Sequence, residues 1–385
     1  MAADVALTGI TWNHSRGFTP MAATAQRFMD AHPHVEIEWS RRSLKDFGAF
    51  PIQRLAESFD LLIIDHPFAG HAAEHSVLVP LDRHLPAEFI ADQAANSVGC
   101  SHASYVSAGH LWALAVDAAA PVSGWRPDLL SRHGAEVPQT WEDVLGLAGR
   151  GLVAVPAAPV DTLMHLYMLV SALDGELFAS SEAIGRADAV VAALELLREL
   201  VSLCGLENID RNPIRTWEAL VHGGGPAYCP LAYGYSNYGR TEYADHPIRW
   251  GGIVTLNGTR FRSVLGGPGL AISSRCHGDA LAAALDYAAY VAGPACQTSL
   301  YATHGGQPGH RAAWLDPGLD RLTNGFFRDT LPTLDAAQLR LRDSGYIPFQ
   351  DRAGDVVRDF LRDGTPARAA LDAVDRLYRE SRPLG

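Results

Sequence analysis

Lysine is almost missing from this chain of 385 residues: Lys45 is the sole one, and every other basic residue is arginine. That scarcity excludes whole chemistries. A phosphate-binding loop closes a glycine-rich run with Lys-Ser or Lys-Thr, and a Schiff-base enzyme needs a buried lysine; Lys45, among charged and polar neighbours, suits neither. Cysteine is also sparse, with Cys100, Cys204, Cys229, Cys276 and Cys296 forming no CxxC pair and having no histidine at metal-ligand spacing. No metal is expected from them, and an odd, scattered set predicts free thiols, which are commoner where the compartment is reducing. Positive charge is short: 31 basic against 43 acidic residues leave a formal charge of −12. This is the wrong sign for a duplex or an anionic membrane, so no nucleic-acid partner is expected. No run approaches the roughly 20 apolar residues of a membrane-spanning helix. The opening from Met1 to Ile10 lacks the basic start, apolar stretch and small-residue cleavage site of a secretory leader. Taken literally it predicts a cytoplasmic chain; a trimmed leader would put the protein in the periplasm instead.

What is present is an ordinary folding composition, 48% hydrophobic and 19% charged, on a length that suits two or three domains. Between residues 5 and 75, short apolar runs alternate with helical spacing, which predicts βαβ units and a parallel sheet. The expected strands are Val5 to Trp12, Val35 to Trp39 and Leu61 to Asp65, with a helix from Phe18 to Ala31 that Pro33 closes. The apolar interior of the third strand suits burial on both faces. Leu111 to Val116 reads as a further strand, and Asp117 to Pro121 as a segment crossing into a second α/β lobe. There, helices are expected at Trp141 to Leu147, Thr162 to Leu173, Ala187 to Leu203 and Thr216 to Val221. Strands are expected at Leu152 to Ala157, Ala227 to Leu231 and Gly251 to Leu256. Leu270 to Ile272, the helix Asp279 to Val291 and C-terminal helices from about Asp335 follow.

Few strings carry a chemical signature. His71-Ala-Ala-Glu74-His75 fits an HxxEH zinc pattern, but it is short, lies between Gly70 and Pro80 and has no third ligand in view, so a solvated helix end is expected. Gly266-Gly267-Pro268-Gly269 precedes a strand instead of joining a strand to a helix. It is therefore no dinucleotide fingerprint, and no cofactor is expected. No GxSxG elbow is present. The informative residues stand at the carboxyl ends of expected strands, where open α/β sheets hold ligands. They are Trp12, Asn13, His14, Ser15 and Arg16 after the first strand, and Asp65 and His66 after the third. Asp117 stands at the crossover, and Tyr233, Tyr235, Ser236, Asn237 and Tyr238 stand in the second lobe. Aromatic rings stack on a sugar's apolar face while polar groups fix its orientation. The plainer readings are core burial for Trp12 and the tyrosines, and helix capping or an ion pair for Asp65 and Asp117.

The order of these pieces resembles the extracellular solute-binding proteins of carbohydrate-type ABC transporters, over nearly the whole chain. The strings that carry it are Ala31-His-Pro-His-Val-Glu-Ile-Glu38, Phe59-Asp-Leu-Leu-Ile-Ile-Asp-His66, Leu78-Val-Pro-Leu-Asp82 and His110-Leu-Trp-Ala-Leu-Ala-Val-Asp117. Trp125-Arg-Pro-Asp-Leu-Leu130, Val137-Pro-Gln-Thr-Trp-Glu-Asp143, Gly224-Gly-Pro-Ala-Tyr228 and Gly305-Gly-Gln-Pro308 continue it in order. The resemblance implies an α/β, two-lobed, periplasmic-binding-protein-like (type II) fold with hinge-connected lobes. One lobe would be 1–116 plus about 268–315, the other 117–267 plus about 316–385, with the ligand in the cleft between them. It implies a monomer that binds a small polar ligand (a sugar, polyol or related organic acid) and partners the membrane subunits of a transporter. Trp12, Asn13, His14, Asp65 and His66 would line the first wall, with Asp117 at the hinge. Tyr233, Tyr235 and Asn237 would face them, and Gly266 and Gly267 would allow close approach of the returning strand. Two alternatives stay open. One is a cytosolic enzyme on the same fold, using His14, Asp65 and His66 for acid–base hydrolysis or elimination; the other is an intracellular ligand sensor.

Overall fold

Eight residues, Val5–Trp12, form the first strand, β1, in which Leu7, Ile10 and Trp12 are buried. The computed structural model describes residues 4–49, 51–173 and 175–382. After β1 comes helix α1, Ser15–Ala31, which starts three residues earlier than its apolar spacing suggests because His14 caps it: the Nδ1 atom of His14 accepts the Arg16 backbone N–H at 3.0 Å. Strand β2, Val35–Arg42, runs past Trp39 to the arginines, and helix α2, Leu44–Ala49, follows it. After helix α3, Ile52–Ser58, the four apolar residues Leu61–Ile64 make strand β3, almost wholly inaccessible to solvent.

The chain divides into two compact units. The first comprises Met1–Ala119, Leu265–Arg321 and Leu339–Ser344; the second comprises Ala120–Val264, Leu322–Gln338 and Gly345–Gly385. The first unit is built on a five-stranded sheet in the order β2, β1, β3, Gly269–Ile272, Leu114–Ala115. The three strands between residues 5 and 75 are parallel, as expected, but the sheet as a whole is mixed. β1 pairs in parallel with β2 and β3, but Gly269–Ile272 runs antiparallel between β3 and Leu114–Ala115. Returning late in sequence, that strand enters from the opposite end, a fact no local apolar pattern records. The expected strand over Leu111–Val116 is two short pieces, His110–Leu111 and Leu114–Ala115.

The second unit pairs Tyr228–Tyr233 with Pro121–Trp125, and Pro121–Trp125 with Arg249–Gly251, all antiparallel. Helices Pro159–Ala172, Ala187–Cys204, Tyr346–Asp363 and Ala367–Ser381 pack on one another. Pro159–Ala172 is buried nearly all round, as its lack of a polar face requires. Leu152 to Ala157, expected as a strand, forms only a single bridge from Val153 to Tyr228, since Pro156 supplies no N–H to a ladder. Gly251 to Leu256 likewise divides, into Arg249–Gly251 and Thr255–Leu256. Thr140 and Asp143 form a reciprocal capping box that starts helix Trp141–Ala148.

Candidate functional site

Strand register fixes which candidate residues share a place. Trp12 lies opposite Arg42 in the parallel β1–β2 pair, and Ile10 opposite Leu62 in the parallel β1–β3 pair. Gly269 lies opposite both Ile64 and Ala115 in antiparallel pairs. The carboxyl ends of β1, β2, β3 and Leu114–Ala115, and the amino end of Gly269–Ile272, therefore meet at one edge of the first unit's sheet. Trp12, Asn13, His14, Asp65, His66, Asp117, Gly266 and Gly267 stand there or in the loops leading directly from it, the edge at which open α/β sheets carry ligands. Tyr233, Tyr235 and Asn237 belong to the other unit.

Two buried ion pairs organise this edge. The Arg16 Nε donates to Asp117 Oδ2 at 3.0 Å and its Nη2 donates to Oδ1, a bidentate pair with Asp117 wholly inaccessible. Burial pushes the Asp117 carboxyl up from its ordinary value while Arg16 opposes the shift. The second pair joins Asp65 to Arg340, whose Nη2 donates to both carboxylate oxygens at 2.6 Å. Arg340 lies 275 residues away, on the short segment by which the chain revisits the first unit. Burial works to raise the Asp65 carboxyl, but Arg340 and the His66 imidazole outweigh it and hold it well below the usual carboxylate range. Burial and then Arg340 press His66 down to about 4, and burial with Arg16 presses His14 down to about 3. Both imidazoles are neutral at neutral pH, and Asp65 is ionised and occupied.

His66 is fully buried, and its Nε2 has no hydrogen-bond partner among the described residues. The Tyr105 ring meets His66 edge-on at 6.4 Å between centroids, and its hydroxyl lies 2.9 Å from the Ile64 carbonyl oxygen and 3.0 Å from that of Gly267. Gly267 has φ of +96°, and a Cβ there would lie 2.6 Å from the Ala118 Cα and 2.7 Å from the Asp117 carbonyl oxygen. The close approach it permits within this unit is to the backbone of residues 117–119. Gly266 exchanges both backbone hydrogen bonds with Ala119.

In the second unit, the strand Tyr228–Tyr233 runs into a short 3-10 turn, Ser236–Gly239. Trp217 Nε1 donates to the Tyr233 carbonyl oxygen at 2.8 Å, and the Tyr238 hydroxyl donates to Glu218 Oε1 at 2.7 Å. Tyr235 and Asn237 are buried, and Tyr233 is half-buried. The Tyr238 ring packs edge-on between Tyr235 and Tyr243. This loop is a packed element with fixed ring positions.

Sequence reasoning did not identify Tyr105, Arg42 or Arg340, nor Arg16 as the partner of Asp117. Arg42 was findable, being the last residue of a strand ended too early at Trp39; the pairing of Arg340 with Asp65 leaves no local signal. His71 and His75 lie on helix Phe68–His75 with ring centroids 4.2 Å apart, and Glu74 accepts from Ser344. Among the described residues no three metal-capable side chains gather. All five cysteines are free thiols.

Comparison with solved structures shows the same fold throughout. MalE3 of T. maritima with maltose bound is 18% identical, covers 98% of this chain and 99% of its own, and superposes with a TM-score of 0.84. A solute-binding protein of Agrobacterium radiobacter K84 in complex with ribitol is 17% identical over 98% of this chain and 99% of its own, with a TM-score of 0.83. UgpB of Mycobacterium tuberculosis, in complex with glycerophosphocholine, is 16% identical over 97% and 98%, with a TM-score of 0.77. No curated protein matches this chain at a significant level. The family model of the bacterial extracellular solute-binding proteins matches residues 23–318, and the chain, an α/β protein of two units, belongs to that family.

Proposed function

We propose that this protein is the solute-binding component of an ABC transporter, that its solute is a small polar molecule such as a sugar, polyol or related organic acid, and that it carries the solute unchanged to the membrane subunits. The carrying observation is the family match over residues 23–318. The sugar- and polyol-bound structures that share the fold across nearly its whole length support the solute class. In this reading the two units are hinge-connected lobes of a monomer, and the solute is held between them. Trp12, Asn13, His14, Asp65 and His66 line one wall and Asp117 stands by the hinge. Tyr233, Tyr235 and Asn237 come from the other lobe, and Gly266 and Gly267 let the returning strand pass close by. Closure would then be a population shift, favoured as far as the solute binds the closed form better than the open one.

Native mass spectrometry of the purified protein tests this directly, followed by titration of tryptophan fluorescence with the molecule identified. The expected result is one polyhydroxylated or carboxylated solute per chain, released at unchanged mass. Conversion of that solute by the protein, or failure of any sugar, polyol or organic acid to bind, overturns the proposal.

A further inference from the structure

Among the described residues, Arg16, Arg42 and Arg340 bring guanidinium groups to the sheet edge that carries the candidate residues. Arg16 is matched there by Asp117 and Arg340 by Asp65. Arg42, the last residue of β2, is not matched: among the described residues no carboxylate lies within ion-pair distance of it. Its Nη1 donates to the Asp46 carbonyl oxygen and its Nη2, reaching across β1, to the Ile63 carbonyl oxygen, both at 3.2 Å. Its Nε is buried and without a partner among the described residues. A guanidinium carries five N–H donors in a fixed fork, so two weak bonds to neutral carbonyls leave most of its donor capacity unused and its charge without an ion-pair partner. Asp46, four residues on, is engaged elsewhere, accepting from the Ser43 hydroxyl at 2.7 Å. Burial depresses Arg42 to about 10, with the more distant charge of Asp46 only partly offsetting that, the mark of a cation drawn from water without a paired carboxylate. Aromatic faces frame it: its guanidinium lies 5.3 Å from the Phe47 ring centroid, and Phe47 lies 5.2 Å from that of Trp12.

We infer that the solute carries an oxyanion, a carboxylate or a phosphate, and that Arg42 is the residue that binds it. The inference rests on the solute-binding reading above and narrows it. A half-buried cation without an ion-pair partner is costly, and an arriving oxyanion relieves that cost by a bidentate, charge-assisted pair that a neutral hydroxyl cannot equal. Arg16 and Arg340 are less suited to the task, since each would first have to give up a carboxylate.

Calorimetric titration of the full chain with matched pairs, ribitol against ribitol 5-phosphate and glucose against gluconate, provides the test. The wild-type protein is expected to bind an anionic member roughly tenfold or more tightly than its neutral counterpart, and the pair that shows the gap tells phosphate from carboxylate. Arg42→Gln should close the gap between the anionic and neutral members, whereas Arg42→Lys should keep part of it. Should Arg42→Gln fail to fold, the wild-type gap and its loss at high ionic strength still decide the matter. Equal or tighter binding of the neutral members, or a gap that survives in folded Arg42→Gln, overturns this inference alone. Binding of no solute in either charge class overturns the solute-binding reading as well.

Discussion

Asp161 lies in the first turn of helix Pro159–Ala172, 7% exposed, and burial alone raises its carboxyl to about 8, with no counter-charge or hydrogen bond to oppose the rise. Its ordinary value is 3.8. A folded-state value above the unfolded one means that the stability tied to the neutral carboxyl is fully present below about pH 4 and is lost as pH rises through about 8. Asp161→Asn should therefore stabilise the protein at pH 8 by about 1–3 kcal/mol and leave it nearly unchanged at pH 4. Urea unfolding at the two pH values checks this, and equal shifts at both would refute it. His66 carries the opposite sign. Its folded value of about 4 lies below the ordinary 6.5, so its share of stability is present above pH 6.5 and is lost as pH falls through 4.

At the scale of elements, the segment from Asp117 to Ala119 is held from three directions. Arg16 grips its carboxylate, the backbone N–H of Ala118 donates to the Gln307 carbonyl oxygen at 3.0 Å, and Gly266 pairs with Ala119. Gly267 can lie against it only because it lacks a side chain and tolerates a positive φ. Gly267→Ala should cost about 2 kcal/mol or more, from strained backbone and overpacking together. Arg16→Met should cost about 3–5 kcal/mol, because it strands a buried carboxylate. Thermal and denaturant unfolding of each variant measures these losses, and a change too small to resolve would show that the segment is not under such constraint. Much at this scale was legible in the sequence. Val5–Trp12 declared itself as a short apolar run before a helical pattern, and Leu61–Ile64 by its length and its freedom from polar residues. Leu152 to Ala157 misled because an apolar run can be buried without a ladder, and Pro156 decided against one.

Over the whole molecule, five free thiols predict that the thermal midpoint is the same with and without reductant; a fall on adding dithiothreitol would reveal a disulfide. The sequence by itself determined the α/β class and the residues leaving β1 and β3, because these depend on local periodicity and on loops next to their strands; the family showed in the ordered strings that resemble it. Tertiary structure alone decided the antiparallel entry of Gly269–Ile272, the pairing of Asp65 with Arg340 and the unmatched charge of Arg42. Each is set by which distant segments the folded chain brings to one edge, and a charge counts as paired or unpaired only once its neighbours in space are known.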